Sequence, residues 1–360
     1  MRKKLFLIGI VTALISVIPG AVFALPNWDI TGTWDMKFYF GPGTYPHTMI
    51  VSAFNTGNGE FSGTGFYNTN PAYTWTVTGT VDGDGIVYHM LYTGLNPGYI
   101  VDAIGTIASD GLSMSGTCVA SNGPCTWTAT GTARELDSDG DSVLNRADKC
   151  SATVADNPDE KLGTNRWMWN GTNWVTTDGK GSKFTPTIQY TYGCNCEQIL
   201  DTLVDKTNLS FDGHYKYGCS KSILEDWNRG DYYLETVSVP AAKDTNTLST
   251  TTLLSSEMYK LKSYGTAYAI EDNSIVFDAE YSSTSGGPWI DGVTGYESYG
   301  TNLLDLMINN GFVNWGPYSI SHTYWQEIAG TDDKLALKVY DIYYPNNSGN
   351  LLTDIFVKLW

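Results

Sequence analysis

Two near-copies, TWTVTGTV over Thr74–Val81 and TWTATGTA over Thr126–Ala133, alternate apolar and hydroxyl side chains along the chain. A strand sends successive side chains to opposite faces, so alternation sustained this long commits each segment to a sheet with one buried face. Tyr73, Trp75, Val77 and Val81 oppose Thr74, Thr76, Thr78 and Thr80, while Trp127, Ala129 and Ala133 oppose four Thr. Trp34, Met36, Phe38 and Phe40 likewise oppose Asp35, Lys37 and Tyr39. Short strand-like runs recur at Thr31–Phe40, Thr48–Asn55, Glu60–Tyr67, Tyr73–Val81, Ile86–Thr93, Tyr99–Ile107, Leu112–Val119 and Thr126–Arg134, separated by Gly, Asn, Asp and Pro. Eight antiparallel strands joined by short turns favour an up-and-down barrel, because closure removes the exposed edges.

The chain as a whole has the composition of an exported β protein. Aromatic residues make up 13% and charged residues only 16%, and Thr, Tyr, Trp and Val favour strands. Arg2, Lys3 and Lys4 precede an apolar run, Leu5–Ile18, and small residues flank Val22-Phe23 at Ala21 and Ala24. This layout reads as a secretory signal over residues 1–24; the alternative is an N-terminal membrane anchor, for which the run is short. Removing the leader leaves 18 basic residues against 38 acidic ones, a formal charge of −20. Such a surface repels nucleic-acid phosphates and anionic lipids and attracts cations. The length predicts two or three domains.

Gly32 and Trp34 on the first strand and Arg134 on the last resemble the calycin group, the avidin-like and lipocalin-like barrels. There a Gly-x-Trp plugs the barrel floor, often under an Arg from the last strand. The resemblance covers residues 27–135 and implies a small apolar or amphipathic ligand in the barrel. The alternative is a barrel filled by its own side chains.

The linker 136–150 places oxygen-bearing Asp137, Asp139, Asp141, Asn145 and Asp148 at positions 1, 3, 5, 9 and 12 of one loop, with Val143 offering a carbonyl at position 7. Calcium takes six to eight oxygens, and side chains at this spacing can wrap it. A Thr-rich strand leads into the loop, where an EF-hand would need a helix. The segment resembles a thrombospondin type 3 repeat, an Asp-rich calcium segment ending in Asp-x-Cys, which implies a structural calcium that stiffens the linker. Ser142 stands where Gly usually makes the sharp turn. The alternative is a solvated acidic linker.

Six Cys follow the leader, in a compartment where disulfides form. Cys118 and Cys125 bracket a short loop between two strands and are expected to pair. Cys150, Cys194, Cys196 and Cys219 allow three connectivities. In the segment 151–232, a hairpin is expected around Asn170-Gly171. Ile199, Leu200, Leu203 and Val204 predict one helix, and Ser220 caps a second that carries Ile223, Leu224 and Trp227. Cys194, Cys196, His214 and Cys219 could instead hold zinc, in competition with two disulfides.

Over 233–360, runs at Tyr233–Val239, Glu257–Ala269, Ser274–Ser282, Val293–Tyr299, Leu335–Tyr343 and Leu351–Leu359 predict a jelly-roll type β-sandwich, with Leu303, Leu306 and Met307 on one helical turn. The closing Tyr340-Asp341-Ile342-Tyr343-Tyr344-Pro345-Asn346-Asn347-Ser348-Gly349 and the earlier Ser298-Tyr299-Gly300 resemble bacterial galactose-binding calcium lectins. That resemblance implies Asp341, Asn346 and Asn347 as side-chain calcium ligands and carbonyls from Tyr299 and Tyr344. The calcium would bridge sugar hydroxyls, with Trp289, Trp315 and Trp325 stacking on a sugar face. The spacing is shorter than in the lectins, and Pro-Asn-Asn-Ser-Gly also makes a turn without metal.

No hydrolase, zinc-protease or phosphate-loop motif occurs, and the four His lack motif context. Asp278 and Glu280 would share one face of a strand, the arrangement a glycoside hydrolase could use, or an acidic solvent face. The reading is therefore a non-enzymatic, calcium-dependent binder of glycans that is secreted or held at a bacterial cell surface. The alternative is a structural envelope or adhesion spacer with calcium used for rigidity.

Overall fold

The computed structural model describes residues 25–157, 162–176, 183–270, 272–284 and 286–360, so the expected leader lies outside it. The described residues form two compact units, one running to Gly140 with Leu144–Arg146, the other comprising Asp141–Val143 and Ala147–Trp360.

The first unit is the expected barrel. Eight strands, Gly32–Phe40, Gly43–Phe54, Glu60–Tyr67, Asn70–Asp82, Gly85–Tyr92, Ile100–Ile107, Ser113–Ala120 and Gly123–Thr130, pair in sequence order. Closure comes from Gly32–Phe40, which pairs with Gly43–Phe54 on one side and Gly123–Thr130 on the other. The alternation sets the faces: Trp34, Met36, Phe38, Trp75, Val77, Trp127 and Ala129 are buried. These side chains, with Met49, Tyr88 and Met90, pack into one core of buried residues. The disulfide Cys118–Cys125 joins the last two strands where their residues pair directly.

One end of the barrel differs from the expectation. Trp34 is fully buried, and its indole N–H donates to the Ile30 carbonyl at 2.9 Å. Gly131 lies against it, where a Cβ would come within 2.5 Å of the ring. Arg134 does not cover this ring. Its side chain points to solvent and pairs with Asp29 at 2.9 Å. A charged guanidinium keeps its hydration there, whereas burial over Trp34 would strip it. The cation found over a barrel-end aromatic is Arg146, 4.7 Å from the Trp28 ring.

At the other end His47 is buried among Phe38, Tyr67 and Trp75. Its Nδ1 lies 2.9 Å from the Tyr45 carbonyl, which can only accept, so Nδ1 carries the proton and Nε2 accepts from Tyr92 Oη at 2.8 Å. Burial pushes the imidazole down to about 4. Its folded value lies below the unfolded one, so the unfolded chain binds more protons between pH 6.5 and 4, and stability is lost as pH falls through that window. The barrel should lose about 3 kcal/mol from this group between pH 7 and pH 4. Hydrogen exchange of the strand Gly43–Phe54 at the two pH values, in wild type and His47→Gln, measures it. An equal loss in both proteins would exclude His47 as the source.

In the second unit a single core runs from the Cys-containing segment through the C-terminal sheets. Arg166–Trp169 pairs with Trp174–Val175 as the expected hairpin. The helix Cys196–Thr207 starts at Asn195, whose side chain and that of Gln198 cap each other's backbone, and Lys221–Arg229 starts at Ser220. Asp212–Tyr217 adds a short helix that the sequence pattern did not indicate. Cys150 pairs with Cys194 and Cys196 with Cys219, so no thiol remains for zinc. His214 instead contacts the Arg166 guanidinium. Among the described residues no helix is long and apolar enough to cross a membrane.

Two sheets build the sandwich. Asp231–Pro240 pairs with Asn350–Lys358, which also pairs with Met258–Tyr264, itself paired with Thr323–Ala329. Opposite, Thr247–Leu253 pairs with Asp333–Val339, and that with Leu306–Ile308. Along the chain these strands alternate between the two sheets, and the first lies beside the last, as in a jelly roll. A small sheet, Ala267–Ala269, Ile275–Phe277, Tyr281–Thr284 and Ile290–Asp291, is inserted after the third strand. Four local expectations fail, the first at Glu257–Ala269, which divides into Met258–Tyr264 and Ala267–Ala269 in separate sheets. Val293–Tyr299 is turn and a 3-10 helix, Glu297–Tyr299. Leu306–Ile308 is a strand, not a helical turn, because both of its faces are buried. The run Ser274–Ser282 breaks at Asp278 into two strands.

Candidate functional site

Four places bring polar groups together. In the loop after the barrel, the carboxylates of Asp137, Asp139 and Asp141 come within 4.8 Å of one another. Local bonds shape it: Asp137 accepts from Gly140 N at 2.8 Å, and Asp141 from Val143 N at 2.7 Å. Ser142 has φ +79°, the left-handed conformation that its place in the motif requires. Asp148 and Asp141 both approach Gly193, where a Cβ would lie 2.0 Å from Asp148 Oδ1 and 3.1 Å from Asp141 Oδ2. Asn145 is engaged otherwise, accepting from Ser138 N at 2.8 Å and donating to Pro26 O at 2.7 Å. The Val143 side chain packs with Trp169 and Ile188.

The second place is Asp341–Asn347. The Asn347 amide nitrogen donates to Asp341 Oδ2 at 2.7 Å and to the Ala241 carbonyl at 3.1 Å. Two acceptors on the nitrogen fix which way the amide points. Its oxygen, Asn347 Oδ1, and Asn346 Oδ1 are then buried without a hydrogen-bond donor. Asp341 and Asn346 line one small cavity of 120 Å³. Tyr344 O already accepts from Asn347 N at 3.0 Å, and the Tyr344 hydroxyl accepts from Asp341 N at 3.1 Å. Tyr299 is exposed at the end of its 3-10 helix, and the nearby Tyr296 reaches the same cavity.

The three Trp expected on a sugar face are dispersed. Trp315 belongs to the core, 3% exposed, with its indole N–H donating to Leu306 O at 2.9 Å. No sugar can stack on it. Trp325 is exposed on its strand between Lys260 and Lys262, whose ammonium groups lie 5.1 and 5.9 Å from the ring. Trp289 stacks on Tyr318 and lies 4.4 Å from the His322 ring. At the barrel mouth, Phe40, Tyr45, His47, Tyr67, Tyr92 and Tyr99 line a cavity of 240 Å³. That is smaller than the roughly 300–1,000 Å³ of most small-molecule pockets.

The fourth place was read from the sequence only as the pair Asp278 and Glu280, without Asp291 and Asp305. Asp278 and Glu280 lie in the turn between Ile275–Phe277 and Tyr281–Thr284, and both are buried, so neither a shared strand face nor an acidic solvent face describes them. Asp278 Oδ2 is within 2.8 Å of His322 Nδ1 and accepts from Tyr324 Oη at 2.8 Å. Its Oδ1 accepts from Glu280 N at 3.0 Å and Tyr281 N at 2.8 Å. Glu280 turns the other way, toward Asp291 and Asp305, and these three carboxylates lie within 4.8 Å of one another. Burial raises Glu280, as do the charges of Asp291 and Asp278, and burial raises Asp291. Asp305 is pushed up to about 9 by burial and by Glu280, Asp291 and Asp278.

No protein-family model matches the chain. No curated protein matches it either. Among solved structures, a redesigned β-barrel is similar at 15% identity over 28% of this chain and 90% of that chain, with a TM-score of 0.25.

Proposed function

We propose that the protein is a secreted or cell-surface calcium-binding protein whose C-terminal module binds carbohydrate in a lectin-like way. The observation that supports this reading is the pair of buried, donorless amide oxygens, Asn346 Oδ1 and Asn347 Oδ1, in the loop that also carries Asp341. Buried acceptors without donors are costly, and a hard cation answers them as a donor would. Asp341 supplies the charge, and carbonyls of Tyr344 and Tyr299 complete the proposed set. Calcium held by so few protein ligands keeps coordination positions for two neighbouring sugar hydroxyls. Of the three Trp, the exposed Trp325 and the half-buried Trp289 are the ones left for a sugar to stack on.

The convergence of Asp137, Asp139 and Asp141 favours a second reading, in which calcium only stiffens an envelope or adhesion spacer. A glycan array with and without EDTA separates the two. The lectin-like reading expects calcium-dependent retention that Asn347→Ala weakens at least about tenfold, roughly 1.4 kcal/mol. No retained glycan, with a melting temperature that still rises in calcium, would leave only rigidity. Saturating calcium at about 100 times Kd should add near 2.7 kcal/mol of stability in either case.

A further inference from the structure

We propose that Glu280, Asp291 and Asp305 form a divalent-cation site that takes calcium, separate from both loops described above. The three residues come from different places in the inserted part of the sandwich. Glu280 lies in the turn before Tyr281–Thr284, Asp291 ends the strand Ile290–Asp291, and Asp305 precedes Leu306–Ile308. Pairing of Tyr281 with Asp291 and the hydrogen bond from Leu306 N to Ala279 O, 2.9 Å, bring them together. Asp305 is 2% exposed and Glu280 6%. Among the described residues, no Lys or Arg nitrogen lies within 4.0 Å of any of the three, although other carboxylates of this unit, Asp231 and Asp354 among them, have such partners.

Asp278 is as deeply buried, yet its carboxylate has four polar neighbours at hydrogen-bond distance. Asp305 Oδ1 is buried with none. Glu280 Oε2 accepts only from Trp315 N, at 3.0 Å. The same few turns therefore satisfy one buried acid fully and leave a cluster of three undercompensated. Burying like charges together without a counterion is costly, and the cost disappears when a cation sits among them. Oxygens bound to one calcium at 2.3–2.6 Å lie at most about 5 Å apart, and the 4.8 Å limit met by all three carboxylates fits that span. All three donors are hard oxygens, and the exposed Asp291 leaves one side open for water ligands.

The test uses the full chain and calcium alone as probe. Asp305→Asn keeps the shape of the side chain and removes its charge. The expected result is one bound calcium fewer than wild type by native mass spectrometry. In EDTA the variant should melt no lower than wild type, because Asp305 Oδ1 has no partner to lose, and its calcium-induced rise in melting temperature should shrink. Asp291→Asn, at the exposed edge, should weaken calcium binding at this site about tenfold with folding intact. Asp305→Asn with unchanged calcium stoichiometry would overturn the proposal. Should that variant fail to fold, unchanged calcium affinity in Asp291→Asn overturns it equally. Calcium-dependent glycan retention through Asp341 is read in the same variants, and its survival or loss leaves this outcome distinct.

Discussion

Asp278→Ala is expected to destabilise the second unit by on the order of 4 kcal/mol, whereas Glu280→Gln, measured in EDTA, should cost less than about 1. An ionised carboxylate offers about four lone-pair sites. Asp278 has all four matched, by His322, Tyr324 and the backbone N–H groups of Glu280 and Tyr281. Truncation leaves those groups in a pocket closed to solvent, at about 1–3 kcal/mol for each one that stays unpaired. It also removes the brace of the turn that places Glu280. Glu280→Gln keeps an acceptor for Trp315 N and removes a buried carboxyl that sits beside Asp291 and Asp305. Urea unfolding followed through the buried Trp315 measures both variants. A loss below about 1 kcal/mol in Asp278→Ala would show that the turn holds without its carboxylate. The full set of partners also bears on the reading of Asp278 with Glu280 as a hydrolase pair. A general acid or base needs a lone pair or proton facing substrate, and Asp278 has none left over.

The same turn shows what the sequence could and could not disclose. In the barrel one face is buried and one is wet, so Thr74–Val81 and Thr126–Ala133 declare their strands by alternation alone. The helices Cys196–Thr207 and Lys221–Arg229 were legible for a similar reason, apolar residues on one side, with Ser220 as the cap of the second. Alternation fails where it is physically absent. Leu306–Ile308 is buried on both faces, and Thr247–Leu253 buries Ser249, whose hydroxyl accepts from Leu335 N at 2.9 Å. Thr323–Ala329 buries little besides Tyr324. The convergence of Asp137, Asp139 and Asp141 was legible because they lie close together in one loop. Glu280, Asp291 and Asp305 converge only through strand pairing and a tertiary hydrogen bond, and no local spacing encodes that. Trp289, Trp315 and Trp325 were grouped by residue type, yet burial separates them. An indole whose N–H finds a carbonyl, as Trp315 does, is as good a core residue as a sugar platform.

Trp34→Ala should cost the barrel about 3–5 kcal/mol, and Arg134→Ala no more than about 1. The Trp34 ring is fully buried against Gly131, whose missing side chain makes room for it, and its N–H is satisfied by Ile30 O. Deletion leaves a void between strands that close the barrel and cannot collapse into it, so both transfer and cavity contributions are lost. Arg134 is an exposed partner of Asp29, with 74% of its side chain accessible, and such pairs contribute little. A floor Trp covered by an Arg, the arrangement expected for Trp34 and Arg134, would couple the two deletions. Here they should be unequal and additive, because the guanidinium does not cover the ring. Hydrogen exchange in the strands Gly32–Phe40 and Gly123–Thr130, measured for each variant and the double variant, reads this directly. Coupling above about 0.5 kcal/mol would place Arg134 over the ring in solution and restore the expected plug. Additivity would leave a floor held by shape alone, Trp34 seated on Gly131, with no cation required.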